Sequence, residues 1–364
     1  MNYHLALGKS WDFAAFDRDA RAAKGPRHVF WTLAQRLGAG VHMPGGDPIR
    51  PFDRVRARIA GGPQHWAMAR TLAGRLGGDD LVFCSGEDVG IPVAALCGAR
   101  RDRPRIVSFF HNVMRPRGRA ALRLFRIADR VDLFVTNTSI QADFLRRALH
   151  LPERRLFFLP SVEQTDTRFF TPGPATTEKR RPIIASVGLE QRDYRTLAEA
   201  TRDLDVDVRV TGYSKDAAVM KRAFPEPLPA NMSARYYDWL ELVRLYRDAD
   251  LVVVSLFPNK YPGGITTILE AMSCRRPVIV TRTEGLRDYV ETPGIVTTVE
   301  PGDPAGLRKA IVHLLEHPEE ADAQATRGYE IVLERHNSER WVEVFATRLN
   351  SLLDELSPTV PSAV

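Results

Sequence analysis

Short apolar runs alternate with amphipathic stretches along almost all of this 364-residue sequence, and no other feature constrains the fold as strongly. The apolar runs suit buried strands, and the stretches between them repeat their apolar residues at helical spacing. Strands that alternate with helices form parallel sheets whose faces the helices cover. The sequence therefore predicts an α/β protein.

The alternation occurs twice, and a segment without periodicity separates the two parts. This segment, Thr171–Pro182, is rich in proline, threonine and charge, which is typical of a linker. The predicted strands are Tyr3–Leu7, Val41–Met43, Leu81–Cys84, Arg105–Phe110, Leu133–Thr136 and Leu156–Leu159 in the first part, and Ile183–Val187, Val206–Thr211, Leu251–Ser255, Val278–Thr281 and Ile295–Val299 in the second. The predicted helices include Val29–Leu37, His65–Leu76, Ile140–Leu149, Arg195–Leu204, Leu240–Asp248, Thr266–Cys274, Pro304–Glu316, Ala321–Glu334 and Glu339–Leu353.

The length and the linker together predict two domains of similar size. We expect a first Rossmann-like domain at 1–170, a linker at 171–182, a second Rossmann-like domain at 183–336, a C-terminal helix at 337–357 that packs back on the first domain, and a flexible tail at 358–364. Two such domains place a ligand cleft between them, near the carboxyl ends of the strands.

The composition is that of a soluble globular protein, with 44% hydrophobic and 26% charged residues. No apolar stretch reaches the ~18 residues that a membrane span needs, and the first residues do not resemble a signal peptide. The three cysteines have no spacing that indicates a disulfide or a zinc site. We therefore expect a cytoplasmic protein, with a peripheral position at the inner membrane face as the alternative.

The net charge is +6, and only 7 of the 51 basic residues are lysine. Arginine binds phosphates and carboxylates through its planar fork, so the excess favours an anionic substrate or a membrane surface. Nucleic acid is not expected as a partner, because the chain has neither an aromatic-rich basic run nor zinc-finger spacing.

The most informative segment joins the apolar run LVVVSL to the predicted helix at 266–274. Gly263 and Gly264 at this turn let the backbone approach a ligand, and the first N–H groups of a helix attract phosphate. Thr266, Thr267 and Glu270 are spaced so that they share one side of the first turns. Hydroxyls beside phosphates and a carboxylate beside ribose suit a nucleotide. An ordinary packed connection with capping threonines is the alternative.

This segment resembles the donor-binding signature of retaining nucleotide-sugar glycosyltransferases of family 4, which have the two-domain GT-B fold. The resemblance rests on G-x-T-T-x-L-E-A-M-x-x-x-x-P-V-I-V-T at 264–281, followed by Glu284-Gly285-Leu286. It extends to 186–200, to 299–318 and to 159–172, which is similar to the segment that closes the first domain of the family. The resemblance implies that the first domain binds the acceptor and the second binds the nucleotide sugar.

The resemblance also implies roles for individual residues. Glu270 matches the second glutamate of the family motif and is implied to bind the ribose, whereas Pro262 stands where the first glutamate is expected. Arg192 stands at the diphosphate-binding lysine, and Leu189 replaces the other expected basic residue. The candidates to replace the missing ligands are Asn259, Lys260, Lys215 and the backbone of Gly263 and Gly264.

Two further groups complete the expected site. The catalytic residues are His111, Arg192, Lys260 and Glu270, and the other donor-binding candidates are Gly188, Gly212, Tyr237, Trp239, Asn259, Gly263, Gly264, Ile265, Thr266 and Thr267. The acceptor-side candidates are Gly8, Lys9, Glu87 and Asn112. His111 follows a predicted strand and is implied to lie near the donor sugar, with a core histidine as the alternative. Tyr237 and Trp239 are expected near the nucleobase or in the core.

Four arginines, Arg119, Arg123, Arg126 and Arg130, recur at helical spacing after His111 and predict a single stripe. Opposite this stripe, Ala121, Leu124, Phe125 and Ala128 are expected to pack inward. The stripe suits contact with an anionic membrane or an acidic acceptor, and a solvated helix face is the alternative.

No metal or other cofactor is expected. The pattern Asp203-x-Asp205-x-Asp207 imitates a metal motif of other glycosyltransferases but spans a helix end and a strand start. The pattern His313-x-x-Glu316-His317 matches a zinc-peptidase motif but ends a helix just before Pro318.

The sequence thus predicts a retaining glycosyltransferase that uses a nucleoside-diphosphate sugar. The alternatives are a nucleotide-sugar epimerase of the same fold, an inverting glycosyltransferase with Glu87 or His111 as base, and a non-catalytic nucleotide-sugar-binding protein.

Overall fold

The first half of the chain forms a parallel sheet with helices on both faces. The computed structural model describes residues 2–158, 165–176, 178–211 and 221–356. The strand order is β2-β1-β3-β4-β5-β6. Its elements are β1 Asn2–Ala6, α1 Phe13–Arg21, α2 Val29–Leu37, β2 Gly40–His42, α3 Pro51–Ala57, α4 Pro63–Ala73, β3 Asp80–Cys84, α5 Glu87–Leu96, β4 Arg105–Phe109, α6 Pro116–Leu124, α7 Ile127–Arg130, β5 Leu133–Thr136, α8 Ser139–Leu149 and β6 Leu156–Phe158.

The second half repeats this architecture with the strand order β12-β11-β10-β7-β8-β9. Its elements are β7 Ile183–Val187, α9 Tyr194–Thr201, β8 Asp207–Thr211, β9 Met232–Ala234, α10 Trp239–Asp248, β10 Leu251–Val254, α11 Ile265–Ser273, β11 Val278–Thr281, α12 Arg287–Val290, β12 Thr297–Val299, α13 Pro304–Glu316, α14 Pro318–Arg335 and α15 Ser338–Leu356. Short 3-10 turns occur at Glu153–Arg155, Lys221–Ala223 and Glu284–Leu286.

Every strand pair in the two sheets is parallel, as in the pairs Tyr3 with Leu81 and Ile184 with Val208. All residues of β3, β7 and β10 are buried, since helices cover both faces of each sheet. This is why these strands appear in the sequence as continuous apolar runs rather than as alternating ones. The short strand β9 was not predicted, because three residues with only Met232 buried carry little pattern.

The last helix belongs to the core of the first domain. In α15, Phe345 is fully buried and contacts Phe83 of β3, with ring centroids 4.7 Å apart. Trp341 of the same helix lies 6.0 Å from the ring of Phe30 in α2. The chain therefore crosses back from the second domain before it ends.

The two domains also meet at the carboxyl ends of their strands. The N–H of Ser139, after β5, donates to the Asp288 carboxylate in α12 at 2.7 Å. The hydroxyl of Tyr289 donates to the Asn137 carbonyl at 2.8 Å. The edge of each sheet that carries the loops after the strands therefore faces the other domain.

The prediction of a single arginine stripe was wrong, because two separate helices stand where one continuous helix was expected. Helix α6 ends at Leu124, and Arg126 adopts a left-handed backbone with φ of 50° before α7 begins. The break lets Ile127 enter the core, whereas a continuous helix would hold it about 120° around the axis from the buried Ala121. Leu124 is 61% exposed instead of packing inward. Arg130 points back to donate to the Ala95 carbonyl at 3.1 Å.

Candidate active site

A tight turn after β7 holds a buried arginine. Gly188 has a φ of 106°, in the region that favours glycine, and the side chain of Arg192 folds back against it. A Cβ on Gly188 would lie 2.2 Å from Arg192 Nη2. The Arg192 guanidinium donates to the Val187 carbonyl at 2.8 Å and to the Glu190 carbonyl at 2.9 Å. Only 3% of Arg192 is exposed, so the turn encloses this cation.

The start of α11 lies against the same guanidinium. Arg192 Nη2 donates to Thr267 Oγ1 at 3.0 Å, and the Thr267 hydroxyl lies 3.1 Å from the Val187 carbonyl. Gly264 caps the helix in a left-handed conformation with φ of 92° and has no side chain to cap it. A Cβ there would lie 2.7 Å from Val254 Cγ1 and 3.3 Å from Arg192 Nη1. Two glycines thus allow the two loops to touch through Arg192.

This helix start carries unused hydrogen-bond donors. Among the residues that the structure describes, the N–H groups of Gly264, Thr266 and Thr267 have no acceptor. A helix N-terminus carries a partial positive charge, and a buried guanidinium beside it adds a full one. The combination attracts an anion such as phosphate.

The two threonines do not share a side of α11, which corrects the expectation from spacing. Thr266 is exposed, whereas Thr267 and Glu270 are buried on the side that contacts the rest of the domain. Consecutive helical residues differ by about 100°, so Thr266 points away from its neighbour. Ile265 is buried in the core of the domain.

Glu270 is buried one turn deeper, and Tyr246 of α10 donates to its Oε2 at 2.8 Å. Burial raises the pKa of Glu270 to about 7, although the hydrogen bond from Tyr246 and the charge of Arg192 oppose this rise. Around neutral pH the carboxyl therefore holds a proton for much of the time and does not fully neutralise Arg192.

Residues that the sequence analysis missed complete this network. The hydroxyl of Tyr194 donates to the Gly188 carbonyl, and the Gly188 N–H donates to Thr211 Oγ1 at 2.9 Å. Tyr194, Thr211 and Tyr246 lie within largely apolar stretches of the sequence. Such stretches indicate only that these side chains belong to the core. Gly212 and Lys215, which the sequence proposed as ligands, lie outside the described residues.

The side chains of Lys260 and Asn259 have partners other than Arg192. The Lys260 ammonium is exposed and pairs with Glu284 at 3.4 Å. The side-chain amide of Asn259 donates to the Phe257 carbonyl at 2.8 Å and shapes its own loop. Both residues line a cavity of about 860 Å³ beside the turn, together with Arg282. Gly263 is buried in the same turn, where a Cβ on it would lie 3.5 Å from Gln191 Cβ.

Tyr237 and Trp239 have different surroundings and do not form one platform. The Arg235 guanidinium lies 3.6 Å from the centroid of the Tyr237 ring, and this pair lines a separate cavity with Arg209. Trp239 begins α10 and is 42% exposed. A Cβ on Gly25 of the first domain would lie 3.4 Å from Trp239 Cδ1, which places Trp239 where the domains meet.

The first domain contributes a loop ordered by a carboxylate. The Glu87 side chain accepts from the N–H of His111 at 2.8 Å and from the N–H of Asn112 at 3.0 Å. His111 Nε2 lies 3.1 Å from the Ser85 carbonyl, and its ring lies 4.1 Å from that of Phe109. Glu87 thus holds the His111 loop, which follows β4 at the edge of the sheet that faces the second domain.

Gly8 and Lys9 lie at the same edge, after β1. Ser85 Oγ accepts from the Gly8 N–H at 3.0 Å, and His65 Nε2 lies 2.8 Å from the Gly8 carbonyl. Lys9 is exposed beside them. Ser85 therefore contacts both Gly8 and His111, although no motif in the sequence singled it out.

Residues 189–317, all of them in the second domain, match the family model described as Glycosyl transferases group 1. This stretch of the second domain is therefore similar in sequence to group 1 glycosyltransferases. No curated protein sequence matches the chain.

The whole chain is similar to solved glycosyltransferase structures. Sucrose-phosphate synthase from Thermosynechococcus elongatus is 17% identical, with a TM-score of 0.73 over 98% of this chain and 100% of that one. Alr3699/HepE of Anabaena, in a complex with UDP and glucose, is 16% identical, with a TM-score of 0.68 over 96% and 99%. The trehalose-6-phosphate synthase OtsA is 13% identical, with a TM-score of 0.68 over 96% and 99%. The expected GT-B fold is confirmed, and the family match supports the assignment of the chain as a glycosyltransferase.

Both metal-like patterns of this glycosyltransferase have other partners. Asp207 pairs with Arg209 at 2.8 Å, and His313 Nε2 lies 2.9 Å from Glu320. Within the described ranges, no group of three or more histidine, cysteine or acidic side chains could hold a metal ion. In the same part of the chain, no helix has the length and apolar character to cross a membrane.

Proposed function

We propose that this glycosyltransferase retains anomeric configuration and moves a sugar from a nucleoside-diphosphate sugar to an acceptor held by the first domain. The observation that carries the proposal is Arg192, a buried cation held between the Gly188 turn and the start of α11. The family match of the second domain supports the same reaction class.

The charge of Arg192 is only partly compensated in the described part of the chain, because its guanidinium forms no ion pair there and the nearby acidic residues, Glu190 and Glu270, act on it without one. Burial lowers the pKa of Arg192, which reflects the cost of keeping this charge away from water. Buried charges are normally paired. A diphosphate at the Gly264–Thr267 amides would supply the missing anion, and Arg192 would stabilise the negative charge that develops as the diphosphate leaves.

Retention follows from front-face attack, in which a leaving phosphate oxygen takes the proton of the acceptor hydroxyl. This route needs no protein base. The geometry of Glu87 favours it over an inverting reaction, since both Glu87 oxygens already accept from backbone N–H groups. His111, on the loop that Glu87 holds, would contact the donor sugar from the first domain.

Three further parts of the proposal concern conditions and substrates. The reaction needs no metal, because the guanidinium and the helix amides supply the positive charge, so turnover should survive a chelator. The first donor to test is UDP-glucose, since the similar protein Alr3699/HepE is solved in complex with it. The site of action is the cytoplasm.

The experiment compares Arg192→Gln with Arg195→Gln, a matched control. Arg195 is exposed in the first turn of α9, three residues after Arg192, and donates to the Phe224 carbonyl at 2.9 Å. UDP-, GDP- and ADP-sugars are titrated by calorimetry, and donor turnover is followed with an acceptor panel and with water alone. Arg192→Gln should lower turnover about 100-fold, the typical effect of losing one group that stabilises transition-state charge. The control should keep wild-type turnover.

Two results would overturn the proposal. Wild-type turnover in Arg192→Gln would remove Arg192 from the reaction, and a protein that binds no nucleotide sugar would not be a transferase of this kind. The configuration of the new glycosidic bond, read by NMR from the first turnovers, decides between retention and inversion.

A further inference from the structure

Helix α3 turns its apolar side chains outward. Ile49, Phe52 and Val55 follow one another at intervals of three residues and are 42%, 73% and 54% exposed. Asp53, which is the only acidic residue of α3, is buried and pairs with Arg70 at 2.8 Å. The only carboxylate of the helix is therefore inside and its bulky apolar side chains are outside, which is unusual for a surface helix.

Arginines surround these apolar side chains. Arg50, Arg54 and Arg58 are exposed on and beside α3. The stretches 48–63 and 113–128 contain no acidic residue other than the buried Asp53.

Helix α6 adjoins the same face. Arg117 donates to the Ala57 carbonyl at 2.7 Å and to the Ile59 carbonyl at 2.8 Å, which joins the start of α6 to the end of α3. Leu124 of α6 is exposed on the same side of the helix as Arg117 and adds to this surface, whereas Arg119 and Arg123 border a separate cavity with Phe144 of α8.

We propose that this surface, formed by residues 49–58 together with Arg117 and Leu124 of α6, docks on an anionic lipid bilayer. Exposed apolar side chains insert at the boundary between headgroups and acyl chains, and the arginines around them attract anionic headgroups. Nucleic acid would account for the arginines but would leave Ile49, Phe52 and Val55 without a partner. The surface differs from the predicted stripe, since Arg119 and Arg123 of that stripe border the cavity beside α8 instead.

The proposed docking surface lies near the acceptor side of the cleft. Helix α3 follows β2 and precedes α4, whose first residues hold His65 against the Gly8 carbonyl at the edge that faces the second domain. A bilayer at this surface would therefore lie beside the acceptor side of the cleft. On the proposed function, this geometry favours an acceptor carried by a membrane lipid.

The experiment is sedimentation of the full chain with vesicles of phosphatidylcholine, with and without phosphatidylglycerol, at low and high salt. The wild-type protein should partition at least about tenfold more strongly into the anionic vesicles and should be released by salt. The double variant Phe52→Ser/Val55→Ser should lose at least about tenfold in partitioning. The matched control Leu333→Ser, which removes a 43% exposed leucine from α14, should bind like the wild type.

A second pair of variants tests the charges. Arg54→Gln/Arg58→Gln should reduce the preference for anionic vesicles, while Arg202→Gln on the second domain should not. Equal recovery with neutral and anionic vesicles, or wild-type binding by Phe52→Ser/Val55→Ser, would overturn the proposal. Unchanged melting temperatures show that each variant is folded. Because the assay measures no sugar transfer, it stands or fails independently of the proposed function.

Discussion

Replacing Glu270 by glutamine removes one titratable proton from the interior of the second domain and leaves the size of the side chain unchanged. Burial raises the pKa of Glu270 from 4.5 to about 7, so the folded protein holds this proton more tightly than the unfolded chain does. As the pH rises between these values, the unfolded chain releases the proton first, and the free energy of unfolding falls. The gap of about 2.5 pH units corresponds to about 3 kcal/mol, at ~1.36 kcal/mol for each unit.

Glutamine has no such proton and still offers an oxygen to the Tyr246 hydroxyl. The free energy of unfolding of Glu270→Gln, relative to the wild type, should therefore increase by about 2–3 kcal/mol between pH 5 and pH 8. Urea unfolding followed by circular dichroism measures this difference at each pH, and other titrating groups cancel between the two proteins. Glu284→Gln, at an exposed carboxylate of the same domain, is the control for replacing a carboxylate by an amide. A difference for Glu270→Gln that does not depend on pH would refute the reasoning, because the carboxyl would then titrate alike in the folded and unfolded chains.

Three further predictions concern backbone conformation, the last helix and an ion pair. Gly264→Ala should destabilise the protein by about 1–3 kcal/mol and weaken nucleotide binding, since its Cβ would meet Val254 in a left-handed backbone; an unchanged urea midpoint contradicts this. Phe345→Ala should cost about 3–5 kcal/mol, and an unchanged melting temperature would mean that α15 is not part of the core. Burial acts to raise the pKa of Asp166, but hydrogen bonds and charge from Arg27 outweigh it and lower this pKa below 3.8. The stability advantage of the wild type over Asp166→Asn should therefore shrink as the pH falls from 5 towards 3, and a constant advantage in urea unfolding would contradict it.

Much of the fold could be predicted from local pattern alone. Strands such as Leu133–Thr136 and Val278–Thr281 have the predicted bounds, because buried parallel strands leave continuous apolar runs. The broken helix at Arg126 could not be predicted in this way. The spacing of the arginines favours one continuous helix, and only the burial of Ile127 in the core explains the break.

The candidate site likewise contains some features that local sequence predicts and others that it does not. Gly264 and the helix after it are visible in the sequence as a turn that can bind phosphate, since backbone conformation and helix dipole are local properties. The orientation of Lys260 towards Glu284 and the hydrogen bond of Tyr246 to Glu270 depend on residues far apart in the chain. Local spacing cannot report such contacts.

By itself, the sequence determined the two α/β halves and the turn that begins α11. Only the tertiary structure decided that Arg192 is enclosed, that Glu270 carries a raised pKa, and that α3 exposes its apolar face. Periodicity records which residues are apolar along one segment, whereas burial of a charge or exposure of an apolar side chain depends on which other segments pack against it.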